Sequence, residues 1–194
     1  MFGKPKDVQM KNDRLGVAHP ISVLNILMTL FALMASQIVN AATVVEFYNT
    51  NLDNYFITAD TNEAVAIDGG SAGLGWSRTG NTFDSGGPTS VCRFYGSMSP
   101  GPNSHFYTAD AGECDYLKQL ATTTPDTEKR WNFESLDFLT TLPTVTGING
   151  ACQSGTTPIY RAYNNGWNRG IDSNHRITTS LTAIQQVVVR GWGN

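Results

Sequence analysis

Apolar and aromatic residues recur along this chain in short alternating runs, each followed by a polar cap and a helical stripe. The same order is written three times. Val45-Glu46-Phe47-Tyr48 leads to Tyr55-Phe56-Ile57-Thr58-Ala59-Asp60. Cys92-Arg93-Phe94-Tyr95 leads to His105-Phe106-Tyr107-Thr108-Ala109-Asp110. Tyr160-Arg161-Ala162-Tyr163 leads to His175-Arg176-Ile177-Thr178-Thr179-Ser180. Two runs rich in β-branched and aromatic residues around a connection read as a hairpin. The connections of the second and third copies, residues 96–103 and 164–174, are the longer ones and are rich in Gly, Pro and Asn.

A helix start follows each hairpin. Asp60 with Glu63, and Asp110 with Glu113, have the spacing of a capping box, in which the Glu reaches back to the N–H of the cap residue. Ser180 caps the third copy, where Ala183 cannot complete the box. Ala64 and Ile67, Cys114 and Leu117, and Ile184 and Val187 then repeat an i, i+3 apolar stripe. Such short helices need the hairpin to pack against. Trp76, Trp131 and Trp192 come next, and Phe83 and Phe138 each lie seven positions beyond the first two, within a further strand.

The unit is therefore β-β-α-β, and its recurrence at a period of about fifty residues predicts one repeat domain. The expected class is α+β and β-rich, with three units in a compact pseudo-threefold, propeller- or trefoil-like domain. The copies run over about 42–87, 88–143 and 158–194, with seams at Gly86-Gly87-Pro88 and residues 144–158. The third stops two residues after Trp192, without the closing strand of the other two.

Residues 1–41 read as a signal peptide. Lys4, Lys6, Lys11 and Arg14 precede an apolar run from Ile21 to Ala35, and Val39-Asn40-Ala41 supplies small residues for cleavage after Ala41. Met10 is an alternative start. An uncleaved leader would be the chain's one link to a membrane, although about fifteen apolar residues are short for a span. The domain from Ala42 keeps nine basic residues (thirteen less the leader's four) and fourteen acidic ones (sixteen less two), a net charge of −5. With no basic stripe, nucleic acid is excluded as the expected partner. The expected location is secreted or periplasmic.

Three cysteines in an oxidising compartment need an explanation. In the register of the copies Cys92 stands where Val45 and Tyr160 stand, and Cys114 where Ala64 and Ile184 stand. A geometry that pairs apolar side chains in copies one and three brings the two sulfurs together in copy two. A Cys92–Cys114 disulfide is predicted, with Cys152 left over.

These motifs resemble a family of secreted repeats of unknown function, whose members read Phe-Tyr-Asn, then His-Phe-Tyr-Thr, then a Glu-bearing helix, then Gly-Trp or Gly-Tyr. The matching residues here are Phe47-Tyr48-Asn49, His105-Phe106-Tyr107-Thr108, Glu63, Glu113, Gly75-Trp76 and Gly191-Trp192. The resemblance covers nearly the whole domain. It implies a stand-alone module or an appendage of the kind found in bacteria and fungi, often beside hydrolases, and it brings no catalytic residues. Tyr55 departs from the family's histidine. Similar proteins end their last strand with a cysteine, the natural partner of Cys152, so the resemblance implies a chain truncated after Asn194.

Candidate chemistry is sparse. His105 and His175 hold one position in the second and third copies and could form a metal or acid–base pair, but Tyr55 at that position of the first copy points to structural hydrogen bonding. The carboxylates Asp60, Glu63, Asp110 and Glu113 are accounted for by helix caps rather than by glycoside hydrolysis. Ser104, His105 and Asp110 make a triad on paper, in a chain without a nucleophile elbow or a zinc-binding helix. No catalytic residue, metal or cofactor is expected. Among the aromatics, Trp76, Trp131 and Trp192 are expected to plug the core. Trp167 stands outside the repeat, among Asn164, Asn165, Asn168 and Arg169. An indole beside amides and a guanidinium suits the apolar face and hydroxyl rim of a sugar ring. The expected ligand-binding residues are Trp167, Asn165, Arg169 and Asn103.

The leading expectation is a secreted non-catalytic module that binds an extracellular polysaccharide or cell-envelope component. A structural appendage without a specific ligand and a secreted hydrolase are the alternatives.

Overall fold

The computed structural model describes residues 41–144 and 150–193. The expected leader therefore lies outside the described residues apart from Ala41, as do residues 145–149 of the second seam and Asn194. The described chain is mixed α+β, with eight strands and four helices.

The first unit holds β1 (Thr43–Asn49), β2 (Asn54–Thr58), α1 (Thr61–Asp68) and β3 (Trp76–Asp84). The second holds β4 (Thr89–Tyr95), β5 (His105–Thr108), α2 (Ala111–Thr123) and β6 (Asn132–Thr140). The third holds β7 (Tyr160–Tyr163), a short α3 (Gly166–Arg169), β8 (His175–Thr178) and α4 (Leu181–Val188). Each unit has its own antiparallel sheet, ordered β2-β1-β3, β5-β4-β6 and β7-β8. Three separate small sheets replace the expected propeller or trefoil-like ring, and the described residues contain no closed barrel or propeller.

The registers correspond. Val45 pairs with Thr58, Cys92 with Thr108 and Tyr160 with Thr178. On the other side of the first strand Tyr48 pairs with Ser77 and Tyr95 with Asn132, while Tyr163 meets Gly193 in a single bridge. Both complete sheets shift register in this outer pairing, between Val45 and Phe47 in the first and between Ser90 and Cys92 and again between Arg93 and Phe94 in the second, as a bulge does. A bulge bends its strand and strengthens the twist.

The helix starts form as the spacing predicts, but only half of the capping box is present. Asp60 Oδ1 accepts from the N–H of Asn62 at 2.8 Å and of Glu63 at 3.3 Å, and Asp110 Oδ1 accepts from the N–H of Glu113 at 2.7 Å. Ser180 Oγ accepts from Ala183 N–H at 3.2 Å. The back-bond is not made by glutamate. The N–H of each cap residue donates to a threonine hydroxyl two residues earlier, Asp60 to Thr58, Asp110 to Thr108 and Ser180 to Thr178. A fixed threonine at the strand end is nearer than a flexible carboxylate, and Glu63 is drawn instead to Arg93 at 2.7 Å.

The apolar stripes pack as expected. Ala64 and Ile67, Cys114, and Ile184 and Val187 are buried. Cys92 and Cys114 are bonded, with Cα atoms 6.1 Å apart. The main core gathers Val44, Phe47, Ile57, Val91, Tyr107, Phe138 and Ile177 from all three units.

Contacts between units follow one order. The ring of His105 lies 4.5 Å from Phe56, that of His175 5.4 Å from Phe106, and the guanidinium of Arg176 sits 4.2 Å over Tyr55. Arg93 stands over Phe56 and Arg161 over Phe106, whereas Glu46 makes an ion pair with Arg176 at 2.9 Å. The connections interlock too. Asn54 Nδ2 donates to Asn103 O, Ser104 Oγ donates to Ser173 O, and the Asn174 amide bonds both backbone groups of Tyr55.

Candidate functional site

The connections before β5 and β8 dock on each other and build a polar face. Asp172 fastens them. Its carboxylate accepts from Asn103 Nδ2 at 2.8 Å, from Ser99 Oγ at 3.1 Å and from Gly101 N–H at 3.2 Å, while Ser173 N–H donates to Gly101 O at 2.7 Å. Asn164 holds the third connection from inside. Its Oδ1 accepts from Gly166 and Asn174 N–H, and its Nδ2 donates to Asp172 O. Gly166 is required there, because a Cβ would stand 2.4 Å from the Asp172 carbonyl oxygen.

Trp167 rides on α3, outside this network. Its backbone N–H donates to the Tyr163 hydroxyl at 2.9 Å, the residue is 64% exposed, and Lys129 Nζ stands 5.1 Å from the ring centre. An ammonium over an indole face is favourable by about 0.5–1 kcal/mol at an exposed site. Arg169 donates to Asn164 O at 3.3 Å and lines a cleft of about 430 Å³ with Asp53, Ser99, Asp172 and Trp192.

The four predicted residues thus share a face but not a pocket. Arg169 borders the cleft, and Trp167 stands outside its lining. Asn103 gives its amide to Asp172. Asn165 holds a left-handed backbone conformation, φ 55°, and its Oδ1 accepts from Asn168 at 2.8 Å, which explains an asparagine at that turn. Asp172 is the residue the sequence reading missed. Its signal was a lone carboxylate in an amide-rich connection that faces a second Ser- and Asn-bearing one.

The repeated tryptophans pack inward, with Trp192 only 4% exposed and 5.7 Å from Tyr55. Trp76 and Trp131 are half-buried, against Phe56 and Phe106 respectively.

The titratable groups collect round Arg93. Its guanidinium meets Glu63 at 2.7 Å, Glu134 at 3.0 Å and Asp137 at 3.7 Å, and His105 Nε2 lies 3.3 Å from Glu134. The Arg93–Glu134 contact is close without hydrogen-bond alignment. Burial pushes the Asp137 carboxyl up to about 6 against the pull of Arg93. Burial also works to raise Glu134, but His105 and Arg93 outweigh it and hold that carboxyl below its usual range. The Arg93 guanidinium thus sits among the three carboxylates and joins them as one ion-pair cluster.

His175 differs from His105. Its ring stacks on Tyr163 at 4.7 Å, and its buried Nδ1 has no hydrogen-bond partner among the described residues. Burial, with Arg161 nearby, pushes it down to about 3. The structural hydrogen bonding expected of this position is not made by His175 Nδ1 among the described residues, and His105 turns its Nε2 to the Glu134 carboxylate. Packing against the rings of Tyr95 and Tyr163 sets their place, tilted in the first case and stacked in the second, as Tyr55 packs tilted against Tyr48. Ser104, His105 and Asp110 point to three different partners, Ser173, Glu134 and Glu113 N–H. Among the described residues no group of three or more His, Cys, Asp or Glu is placed to hold a metal, and no helix is long and apolar enough to cross a membrane.

No curated protein and no solved structure matches the chain. A DUF5648 domain, a domain of unknown function, is found at residues 29–124, a span that takes in β1 to β5, α1 and α2.

Proposed function

We propose that this is an exported, non-catalytic module that binds an extracellular ligand through the face formed by the connections before β5 and β8. The observation that carries the reading is the contrast between two indoles, Trp192 at 4% exposure and Trp167 at 64%. A large exposed aromatic on a tightly bonded loop loses little side-chain entropy when a ligand stacks on it. Arg169, Asp172 and Asn51 supply donors and acceptors in the adjoining cleft. A surface glycan or cell-envelope polymer suits that combination, since its rings present apolar faces edged by hydroxyls. Export is supported by the Cys92–Cys114 bond and by the leader-like composition of residues 1–41.

The same reading takes the three units as copies of one β-β-α-β repeat round a pseudo-threefold axis. The matching registers and the ordered contacts from His105 to Phe56, His175 to Phe106 and Tyr55 to Arg176 support it. A hydrolase reading would draw on Asp137 and its raised pKa of about 6. The position of Arg93 between Asp137 and its carboxylate neighbours favours an ion-pair role instead.

The test is retention of the protein on immobilised glycans and cell-envelope polymers, with Trp167→Ala in parallel. Retention of the wild type and weakening by about tenfold or more in the variant is the expected result. Retention on nothing, or equal retention of both proteins, overturns the assignment.

A further inference from the structure

The third sheet differs from the other two along one edge. In the first sheet β3 covers the outer side of β1, and in the second β6 covers β4. On β7 the described residues give only the Tyr163–Gly193 bridge, with two hydrogen bonds of 2.8 Å. Strand geometry turns the N–H and C=O of alternate residues to the same side, so those of Arg161 face outward beside those of Tyr163. No described residue outside the β7–β8 pair bonds them.

Side chains along this edge show the same difference. Val44, Val91 and Ile159 each precede the residue that pairs with a threonine, Thr58, Thr108 or Thr178. Val44 and Val91 are 0% and 4% exposed, in one hydrophobic cluster with Phe83 and Phe138 of the outer strands, whereas Ile159 is 39% exposed. Phe83 and Phe138 meet edge to face at 5.7 Å, and beside them opens a groove of about 820 Å³ lined also by Ile159, Tyr160, Arg161 and Ile177. Charge tells the same story. Arg93 faces Tyr107 in register as Arg161 faces Ile177, and Arg93 finds Glu134 and Asp137 on β6. Arg161 is exposed and has no carboxylate partner among the described residues.

We propose that the outer edge of β7 is a strand-acceptor site for an extended peptide segment that carries an acidic residue immediately before an aromatic one. The segment pairs antiparallel with β7, its carboxylate meets Arg161, and its ring fills the groove beside Phe83 and Phe138. The occupied edges of the same molecule set the spacing. Phe83 lies six residues beyond Ser77, the partner of Tyr48, and Phe138 six beyond Asn132, the partner of Tyr95. Asp137-Phe138 is the acidic–aromatic pair where the first strand carries an arginine. Main-chain bonds give such an added strand its affinity, and the pocketed side chain gives it specificity. The site lies on a sheet edge and does not depend on the loop face of Trp167.

The probe is a fluorescent peptide with the sequence of β6, Asn132–Thr140, titrated into the full chain and followed by anisotropy and amide hydrogen exchange. Saturable one-to-one binding is expected, with new protection at the amide of Arg161. Replacing the peptide's phenylalanine that corresponds to Phe138 by alanine weakens binding by about tenfold or more. Replacing its aspartate by lysine weakens binding, and Arg161→Glu in the protein restores it. The peptide substitutions leave the protein untouched, so they report on the site whatever the variant does to stability. Four outcomes overturn the proposal: no saturable binding, equal binding of the alanine peptide, binding without protection of Arg161, or an Arg161 amide protected before any peptide is added. In the last case, sedimentation distinguishes a second copy on the edge from the chain's own residues.

Discussion

The side-chain amide of Asn174 makes two backbone hydrogen bonds to Tyr55, accepting from its N–H at 2.8 Å and donating to its carbonyl at 3.0 Å. Asn174 thus serves as one residue of a neighbouring strand, across 119 positions of sequence and with no exposure to solvent. Asn174→Ala leaves two buried backbone groups without partners, and a loss of about 2–4 kcal/mol is expected. Urea unfolding measures it. A loss below about 0.5 kcal/mol, the scale of an indifferent surface substitution, would contradict the role given to this amide.

Glu46 and Arg176 also join the first and third units, at 2.9 and 3.0 Å, with side chains only 3% and 5% exposed. Removing one partner strands the other, so Arg176→Met is expected to cost about 3–5 kcal/mol. The double variant Glu46→Leu with Arg176→Leu should lose less than the two single leucine variants added together. Simple additivity in a double-mutant cycle would show that the two charges do not depend on each other.

The Cys92–Cys114 bond closes a loop of sequence separation 22 and stabilises by about 3 kcal/mol through the unfolded chain. Cys92→Ala with Cys114→Ala should lower stability by that amount. Thiol titration of the native protein should find one rapidly reacting group, the exposed Cys152, and three after unfolding and reduction. Any other native count would remove either the bond or the exposure of Cys152.

Asp137 and His175 give opposite pH dependences over nearly the same range. The folded protein holds a proton on Asp137 up to about pH 6, whereas the unfolded carboxyl releases it near 3.8, so stability falls as pH rises through that window. His175 stays neutral down to about pH 3 in the folded state, while the unfolded imidazole protonates below 6.5, so stability falls as pH drops through that window. Each slope is at most about 1.4 kcal/mol per pH unit. Asp137→Asn is therefore expected to leave stability rising between pH 4 and 6, and His175→Phe to leave it falling there. Thermal midpoints across pH 3–7 for the two variants decide this. Curves parallel to the wild type would show that neither group carries the shift assigned to it.

Local structure was legible in the sequence. The hairpins, the helix starts and the apolar stripes depend on residues a few positions apart, and the register of the copies sufficed to pair Cys92 with Cys114. The contacts between units were not read, because they join positions far apart in the chain. A signal was nonetheless present. Glu46 stands where the other units carry Arg93 and Arg161, and Arg176 stands where they carry Phe56 and Phe106. Two simultaneous departures of opposite charge mark one interface, where an ion pair replaces a cation over a ring. The closure of the sheets into separate patches was beyond the pattern too, since strand periodicity does not say which edges meet. Of the candidate site, Trp167 was visible as the aromatic outside the repeat. Asp172 was not, since its work depends on a second loop about seventy residues away.

Thr58, Thr108 and Thr178 finish the helix starts without help from the third helical position. That position is consequently a free variable. It holds Glu63, Glu113 and Ala183 while the first carboxylate or hydroxyl keeps its bond in every unit. Glu63 has been put to use between neighbours, on Arg93. A scaffold that settles its own helix starts within six residues of chain can trade side chains at this place between solvent, partner unit and plain methyl without unsettling the helix beneath.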